Sequence, residues 1–225
     1  MYYYVCNLHI INNFNFDQIK NLKQNNRYSI PKINFEKITS KIEDYEFDGQ
    51  IEINGSTLKH LKSNKKETNF RLRTGSGLAF IETDKELEKI DAMTILNSQM
   101  GAFVRLTDFV PHRDKVKEFV LSSKSLEDIK LFTGGGIQSF EVDDSVDIKN
   151  KLSEYSLIEA ELEFNIKEEE INFYYYGDAL QFPLSIEKEQ IEKIIQVFEV
   201  IMSNKSLKNS NNLKKPSKCV NHVFC

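Results

Sequence analysis

The most unusual string of residues in the chain is Cys219-x-x-His222-x-x-Cys225 at its C-terminal end. Thiolate sulfur and imidazole nitrogen are good ligands for zinc, but a structural zinc site needs four ligands in a tetrahedron. Cys6 or a partner chain would have to supply the fourth. A redox pair of thiols is a second interpretation, and a tail that is modified or cleaved at a cysteine is a third. The simplest interpretation is that the spacing is coincidental.

An acidic cluster is the second candidate for chemistry. Asp143, Asp144 and Asp147 follow Glu141 closely, and four carboxylates could hold a divalent cation in a metal-dependent nuclease. The cluster lacks the turn glycine and the closing glutamate of an EF-hand loop. The competing interpretation is structural, because Asp144 or Ser145 can cap the helix that follows.

Motifs of the large enzyme families are missing. His112-Arg113-Asp114 spells the catalytic triplet of protein kinases, but the residues that must follow it at fixed distances are different here. The glycine runs at 75–77 and 134–136 fit neither a P-loop nor a dinucleotide-binding turn. We therefore predict no cofactor. The sequence does not decide whether the protein is an enzyme, and the missing motifs argue against it.

Arginines are concentrated in the middle of the chain. Four of the five fall between positions 71 and 113, namely Arg71, Arg73, Arg105 and Arg113. Arg71 and Arg73 alternate with Phe70 and Leu72, so they share one face of a strand, and if Phe70 and Leu72 point inward the arginines are accessible. If the strand of Arg105 is a neighbour, three guanidinium groups share a sheet face. These four residues are the candidate site for an anionic partner.

Two tyrosine triplets, Tyr2-Tyr3-Tyr4 and Tyr174-Tyr175-Tyr176, could stack on the bases of a single-stranded nucleic acid. Alternation along a strand would expose either Tyr175 or its two neighbours, but not all three. We predict instead that these tyrosines pack in the core of a half-buried sheet.

Net charge restricts the choice of partner. The formal charge is −4, yet the stretch from Ser203 to Cys225 holds five lysines and no acidic residue, so the rest of the chain carries −9. Such a body is not basic throughout, as a general nucleic-acid-binding surface would be. No apolar run approaches the roughly 18 residues of a membrane span, and the first residues do not resemble a signal peptide. We expect a cytoplasmic protein with no membrane partner.

Apolar periodicity predicts the elements that position these residues. Helices are predicted around Phe16–Leu22, at Phe35–Tyr45, after a Thr83/Glu86 capping box, after Pro111, at 125–131 with Ser125 as cap, at Val146–Tyr155 and at 186–203 behind Ser185. Strands are predicted at Tyr2–Ile11, Gln50–Ile53, Ala102–Thr107 and Ile137–Val142, with hairpins at about 69–82 and 157–176.

The predicted fold class is α+β, with a mixed or antiparallel sheet built on the two hairpins, packed helices and a long C-terminal helix at 186–203. Residues 1–203 are predicted to form a single compact unit, with any subdivision near 108–112. Residues 204–225 have neither apolar period nor core, and are predicted to be a disordered basic tail.

The leading functional hypothesis is a non-enzymatic binding or adaptor subunit of a larger intracellular complex, which contacts an anionic partner through the arginines. A protein partner is expected first and nucleic acid second. A metal-dependent nuclease is the next hypothesis, and the last is a recognition domain whose Cys-containing tail is modified by a partner enzyme.

Overall fold

The architecture was analysed in a computed structural model of the chain. The structure describes residues 1–11, 33–41, 44–54, 65–141, 145–166 and 168–203. Within these ranges, side chains are described except at 33–45, 52–54, 65–67 and 145–147. The predicted helix at Phe16–Leu22 and the predicted tail at 204–225 lie outside the described residues.

Eleven strands and four helices make up the described part of the chain. The strands are β1 (Tyr2–Ile10), β2 (Ile33–Lys41), β3 (Asp44–Asn54), β4 (Lys65–Arg73), β5 (Leu78–Thr83), β6 (Val104–Asp108), β7 (Ser125–Phe132), β8 (Ile137–Glu141), β9 (Ser156–Ile166), β10 (Glu169–Tyr175) and β11 (Ala179–Gln181). The helices are α1 (Glu86–Met100), α2 (Arg113–Leu121), α3 (Ser145–Glu154) and α4 (Lys188–Met202). The predicted α+β class is confirmed at this level.

All strands join one antiparallel sheet in the order β2-β3-β4-β5-β1-β11-β10-β9-β7-β8, with β6 paired to β1 off this path. Strand β1 lies at the centre and pairs along one edge with β5. Along its other edge Tyr2–Tyr4 pair with β11, and Cys6–Ile10 pair with β6. The first strand of the chain therefore joins the two halves of the sheet.

The two faces of the sheet carry separate cores. The inner face, which bears Tyr3, Val5 and Phe80, packs against α2, α3 and α4. The outer face bears Cys6 and Ile81 and packs against α1, which covers only the half that contains β3, β5 and β6. Over β9, β10 and β11 the outer face has no helix upon it among the described residues.

Two predicted helices are strands in the structure. The segment predicted as a helix at Phe35–Tyr45 forms β2 and the start of β3. The segment predicted as a helix behind Ser125 forms β7, and the glycine run 134–136 makes the turn to β8 instead of ending a helix. In both segments the strand register shifts, as at a β-bulge or a similar irregularity, and the shift interrupts the two-residue alternation of a regular strand.

Two helix caps also differ from the prediction. Thr83 does not cap α1, whose N-cap residue is Lys85; the Thr83 hydroxyl donates to the carboxylate of Glu88 instead. Helix α4 begins behind Glu187, which forms a reciprocal capping box with Gln190, and not behind Ser185. Glutamate and glutamine side chains satisfy the first backbone groups of a helix as a Ser/Thr box does.

Candidate functional site

Arg71 is buried and the Arg73 side chain is only 12% exposed, whereas the prediction made both accessible. Phe70 and Leu72 do point to the opposite face, but the inner face that carries the two arginines is covered by α4. The Arg71 side chain is 7% exposed, and its Nη1 lies 2.6 Å from Oε1 of Glu192 on α4. Arg73 Nη1 donates to Asp48 Oδ1 at 2.5 Å. Both guanidinium groups are already neutralised within the protein.

Arg105 and Arg113 are exposed, but they lie apart. Arg105 lies on β6, which is three strand spacings, or about 14 Å, from β4. Arg113 begins α2, where Nη1 donates to the backbone oxygen of Ser153 at 3.1 Å. The four arginines therefore do not form one accessible sheet face, and anion binding by Arg105 or Arg113 stays a prediction.

The predicted metal ligands in the tail and at 143–147 stay a prediction, because the structure describes none of their side chains. Cys219, His222, Cys225, Asp143 and Asp144 lie outside the described residues, as does the side chain of Asp147. Cys6 is buried in the outer core, where burial raises the pKa of its thiol to about 12. Among the side chains that the structure describes, no three His, Cys, Asp or Glu residues converge as a metal site would require.

Four tyrosines form a continuous surface on the open half of the outer face, which we call the tyrosine face (Tyr2, Tyr4, Tyr174 and Tyr176). Tyr2 stacks on Tyr4 with ring centroids 5.8 Å apart, and Tyr174 stacks on Tyr176 at 6.2 Å. The Tyr2 and Tyr176 rings meet at 5.9 Å and join the two pairs. All four side chains are partly exposed.

Strand alternation explains how this surface forms. The middle residues of the two triplets, Tyr3 and Tyr175, point to the inner face and are buried in its core. Between the two pairs runs the short strand β11, on which Ala179 is paired with Tyr4 and Gln181 is paired with both Tyr2 and Tyr174. The Tyr2 and Tyr176 rings therefore meet diagonally across this strand. The prediction that these tyrosines belong to the core is thus wrong for four of the six.

Carboxylates border the tyrosine face on one side. A concave surface of about 690 Å³ adjoins Tyr174 and is lined by four carboxylates and one lysine, namely Asp128, Glu141, Glu159, Glu161 and Lys130. We call these residues the acidic concavity. Lys130 Nζ lies 2.7 Å from Glu159 Oε2, so three of the four negative charges have no lysine or arginine partner among the described residues.

Burial and nearby carboxylates raise the pKa of three hydroxyl groups on the tyrosine face. A hydrogen bond to Glu161, together with partial burial, raises the pKa of Tyr174. Burial and the charge of Glu159 raise the pKa of Tyr176 to about 12. Burial, with the charges of Glu86 and Asp178, raises the pKa of Tyr4. At neutral pH these hydroxyl groups are hydrogen-bond donors, and none is ionised to act as a base or a nucleophile.

A lysine from α1 marks the other border of the tyrosine face. Lys89 is buried, its Nζ lies 2.7 Å from Asp178 Oδ2, and it sits 5.5 Å from the centre of the Tyr4 ring. Lys89 therefore contacts Tyr4 at the point where the part of the sheet covered by α1 ends. The sequence signal for the whole surface was the pair of Tyr-x-Tyr repeats, which places four rings in the same alternation phase.

Comparison with known proteins gives no assignment: no protein-family model matches the chain, and no curated protein sequence matches it. No helix within the described ranges is long and apolar enough to cross a membrane.

Proposed function

We propose that the protein is a non-enzymatic binding protein that docks an arginine-rich segment of another protein on the tyrosine face and the acidic concavity. The observation that carries the proposal is the stack of four tyrosines beside four carboxylates, on a sheet face where the described residues place no helix. A role as an adaptor in a larger complex is the biological form that such docking would take.

Arginine is the side chain that suits this surface best. Its flat guanidinium group stacks on the face of a tyrosine ring, with a gain of about 0.5–2 kcal/mol for each contact. The same group donates two parallel hydrogen bonds to a carboxylate, which lysine cannot do. Tyr174 and Glu161 are directly paired across β10 and β9, so one arginine could use both partners together.

The charge of the surface argues against a nucleic-acid partner. Phosphate groups bind where lysine and arginine neutralise them, and the acidic concavity would repel them instead. The arginines that the sequence offered for an anionic partner do not reverse this, since Arg71 and Arg73 are paired with Glu192 and Asp48. The proposal therefore retains a protein partner, but the partner is cationic instead of the anionic one that the sequence predicted.

Titration with a defined peptide tests the proposal. A fluorescent peptide of alternating arginine, glycine and serine should bind, whereas the matched peptide with glutamate for arginine and a random single-stranded oligonucleotide should not. The double variant Glu141→Gln/Glu161→Gln should weaken binding of the arginine peptide by about tenfold or more, which corresponds to about 1.4 kcal/mol.

A matched control separates docking from general charge. Glu118 and Glu154 are exposed on α2 and α3, on the other side of the sheet. The variant Glu118→Gln/Glu154→Gln changes net charge by the same amount and should change the affinity less than about twofold. Equal loss in both double variants, or preferential binding of the oligonucleotide, would refute the proposal.

A further inference from the structure

A cavity of about 290 Å³ lies on the inner side of the sheet, between the first turns of α2 and the end of α3. Its wall is mostly apolar and includes Phe109, Val110, Val116, Leu152 and Leu157. Val110 is 80% exposed at the mouth, so an apolar side chain lies in solvent beside the opening. The volume is close to the lower end of the range of small-molecule sites.

Tyr175, on β10, lines the side of this cavity that the sheet forms. Its side chain is 0% exposed, and among the described residues its hydroxyl group has no hydrogen-bond partner. A buried hydroxyl group without a partner costs about 1–3 kcal/mol, and most such groups in folded proteins are satisfied. A molecule in the cavity is a natural source of the missing partner.

Two cations stand at the mouth. Arg113 and Lys117 lie one helical turn apart on α2, and both line the cavity. In the described structure Arg113 contacts Ser153 and Ser156, and Lys117 contacts the Ser153 hydroxyl group, so neither has a carboxylate partner. The one carboxylate in the wall, Asp178, is paired with Lys89 at 2.7 Å.

From these three observations we infer that the cavity binds a small organic carboxylate with an apolar body. The apolar body fills the space between α2 and α3, and the carboxylate accepts hydrogen bonds from Arg113 and Lys117 at the mouth. A polar atom on the buried part of the ligand pairs with the Tyr175 hydroxyl group. This site lies on the opposite side of the sheet from the tyrosine face, so the two proposals stand independently.

Binding is tested by nuclear magnetic resonance on the full chain, with two carboxylate probes: phenylacetate, and 4-hydroxyphenylacetate, which adds a polar atom that can pair with Tyr175. We expect saturable shifts of amide signals confined to residues 109–117, 152–157 and 175–178. Two control ligands separate the contribution of the apolar body from that of the negative charge. 2-Phenylethanol has the apolar body without the charge, and inorganic phosphate has the charge without the apolar body. Both should bind at least about tenfold more weakly than phenylacetate. Absence of saturable shifts with both carboxylates, or equal binding of phosphate, overturns the inference.

Variants locate the contacts. Arg113→Gln should weaken phenylacetate binding by about tenfold. Arg105→Gln removes an exposed arginine that does not line the cavity, and it should leave the affinity unchanged. If the two variants weaken binding equally, the carboxylate is held by general charge and the assigned site is wrong.

Tyr175→Phe gives a readout that does not depend on a probe. Since the ring is kept and only a hydroxyl group without a partner is removed, the melting temperature without ligand should stay the same or rise. A fall of several degrees would mean that the hydroxyl group is already satisfied in the folded protein, and it would overturn the inference.

Discussion

The β4–β5 hairpin and the β9–β10 hairpin belong to the same antiparallel sheet, but helices cover them differently. The first has α1 on its outer face and α4 on its inner face, so Phe70, Arg71 and Leu72 are all buried in succession. In the part of the chain that the structure describes, the second has helices only on its inner face, and Tyr174 is partly exposed between buried Phe173 and Tyr175. Alternation determines which side chains share a face, while a distant helix determines whether that face is exposed.

Truncation of a core side chain in α4, the helix that contacts both hairpins, should have the largest effect on stability. Phe198 of α4 is 0% exposed and contacts Phe80 from the first hairpin and Tyr175 from the second. Phe198→Ala should lower the free energy of unfolding by about 3–5 kcal/mol, measured by chemical denaturation. Val200, which is 78% exposed on the same helix, is the control, and Val200→Ala should change it by less than about 0.5 kcal/mol.

Arginine substitutions test whether α4 covers the inner face of the first hairpin. Arg71→Gln removes the ion pair with Glu192 and the contact with the Tyr3 ring, whose centre lies 5.4 Å from the guanidinium carbon. We expect a loss of about 1.5–3 kcal/mol. Arg105→Gln, at an exposed position, should cost less than about 0.5 kcal/mol. Equal losses in the two variants would contradict the difference in burial that the structure shows.

Adjacent tyrosines of β1 test the two faces within one strand. Tyr2→Ala removes ring contacts on the open face, and it should cost about 0.5–1.5 kcal/mol. Tyr3→Ala empties a site in the inner core, where the side chain is buried, and should cost about 3–5 kcal/mol. Similar costs for the two neighbours would mean that the open face is covered in solution, for instance by a second copy of the chain.

A pH profile gives the smallest expected effect. Within α4, burial raises the pKa of Glu199, although the Ser76 hydroxyl group donates to this carboxylate at 3.0 Å. A raised pKa means that the folded protein binds more protons than the unfolded chain, so stability is lost as pH rises through the raised value.

Glu199→Gln should therefore be slightly more stable than the wild type at pH 7. The difference should shrink as the pH falls toward the ordinary range of a glutamate, about 4.3. Thermal unfolding at several pH values measures both curves. A variant that is less stable than the wild type at pH 7 would show that the charged carboxylate stabilises this contact.

Prediction from sequence succeeded for the fold class, where the apolar period was regular. It was wrong at β2 and β7, and the two errors have the same physical origin. Leu126 and Ile129 are three residues apart, as on a helix, yet a register shift between them lets a strand carry that spacing. The register of β2 also shifts, between Phe35 and Lys37. A β-bulge can imitate the apolar period of a helix.

Candidate sites were harder to predict because they depend on contacts between distant segments. The accessible arginine face was excluded by Glu192, which lies more than a hundred positions further along the chain than Arg71. The tyrosine face requires that strands from opposite ends of the chain meet across β11. Alternation alone predicted which tyrosines of each triplet share a sheet face, but it could not show which face a helix would cover.

The central position of β1 has a consequence for the order of synthesis. The ribosome makes Tyr2 well before its partner Gln181, which lies 179 positions further along the chain. At typical rates of roughly 5–20 residues per second, about 10–35 s pass between the synthesis of β1 and the synthesis of β11. During this time a nascent chain can pair β1 with β5 but cannot assemble the tyrosine face. Any product that stops before β11 therefore lacks the proposed docking surface, so partner binding would report that translation had reached this strand.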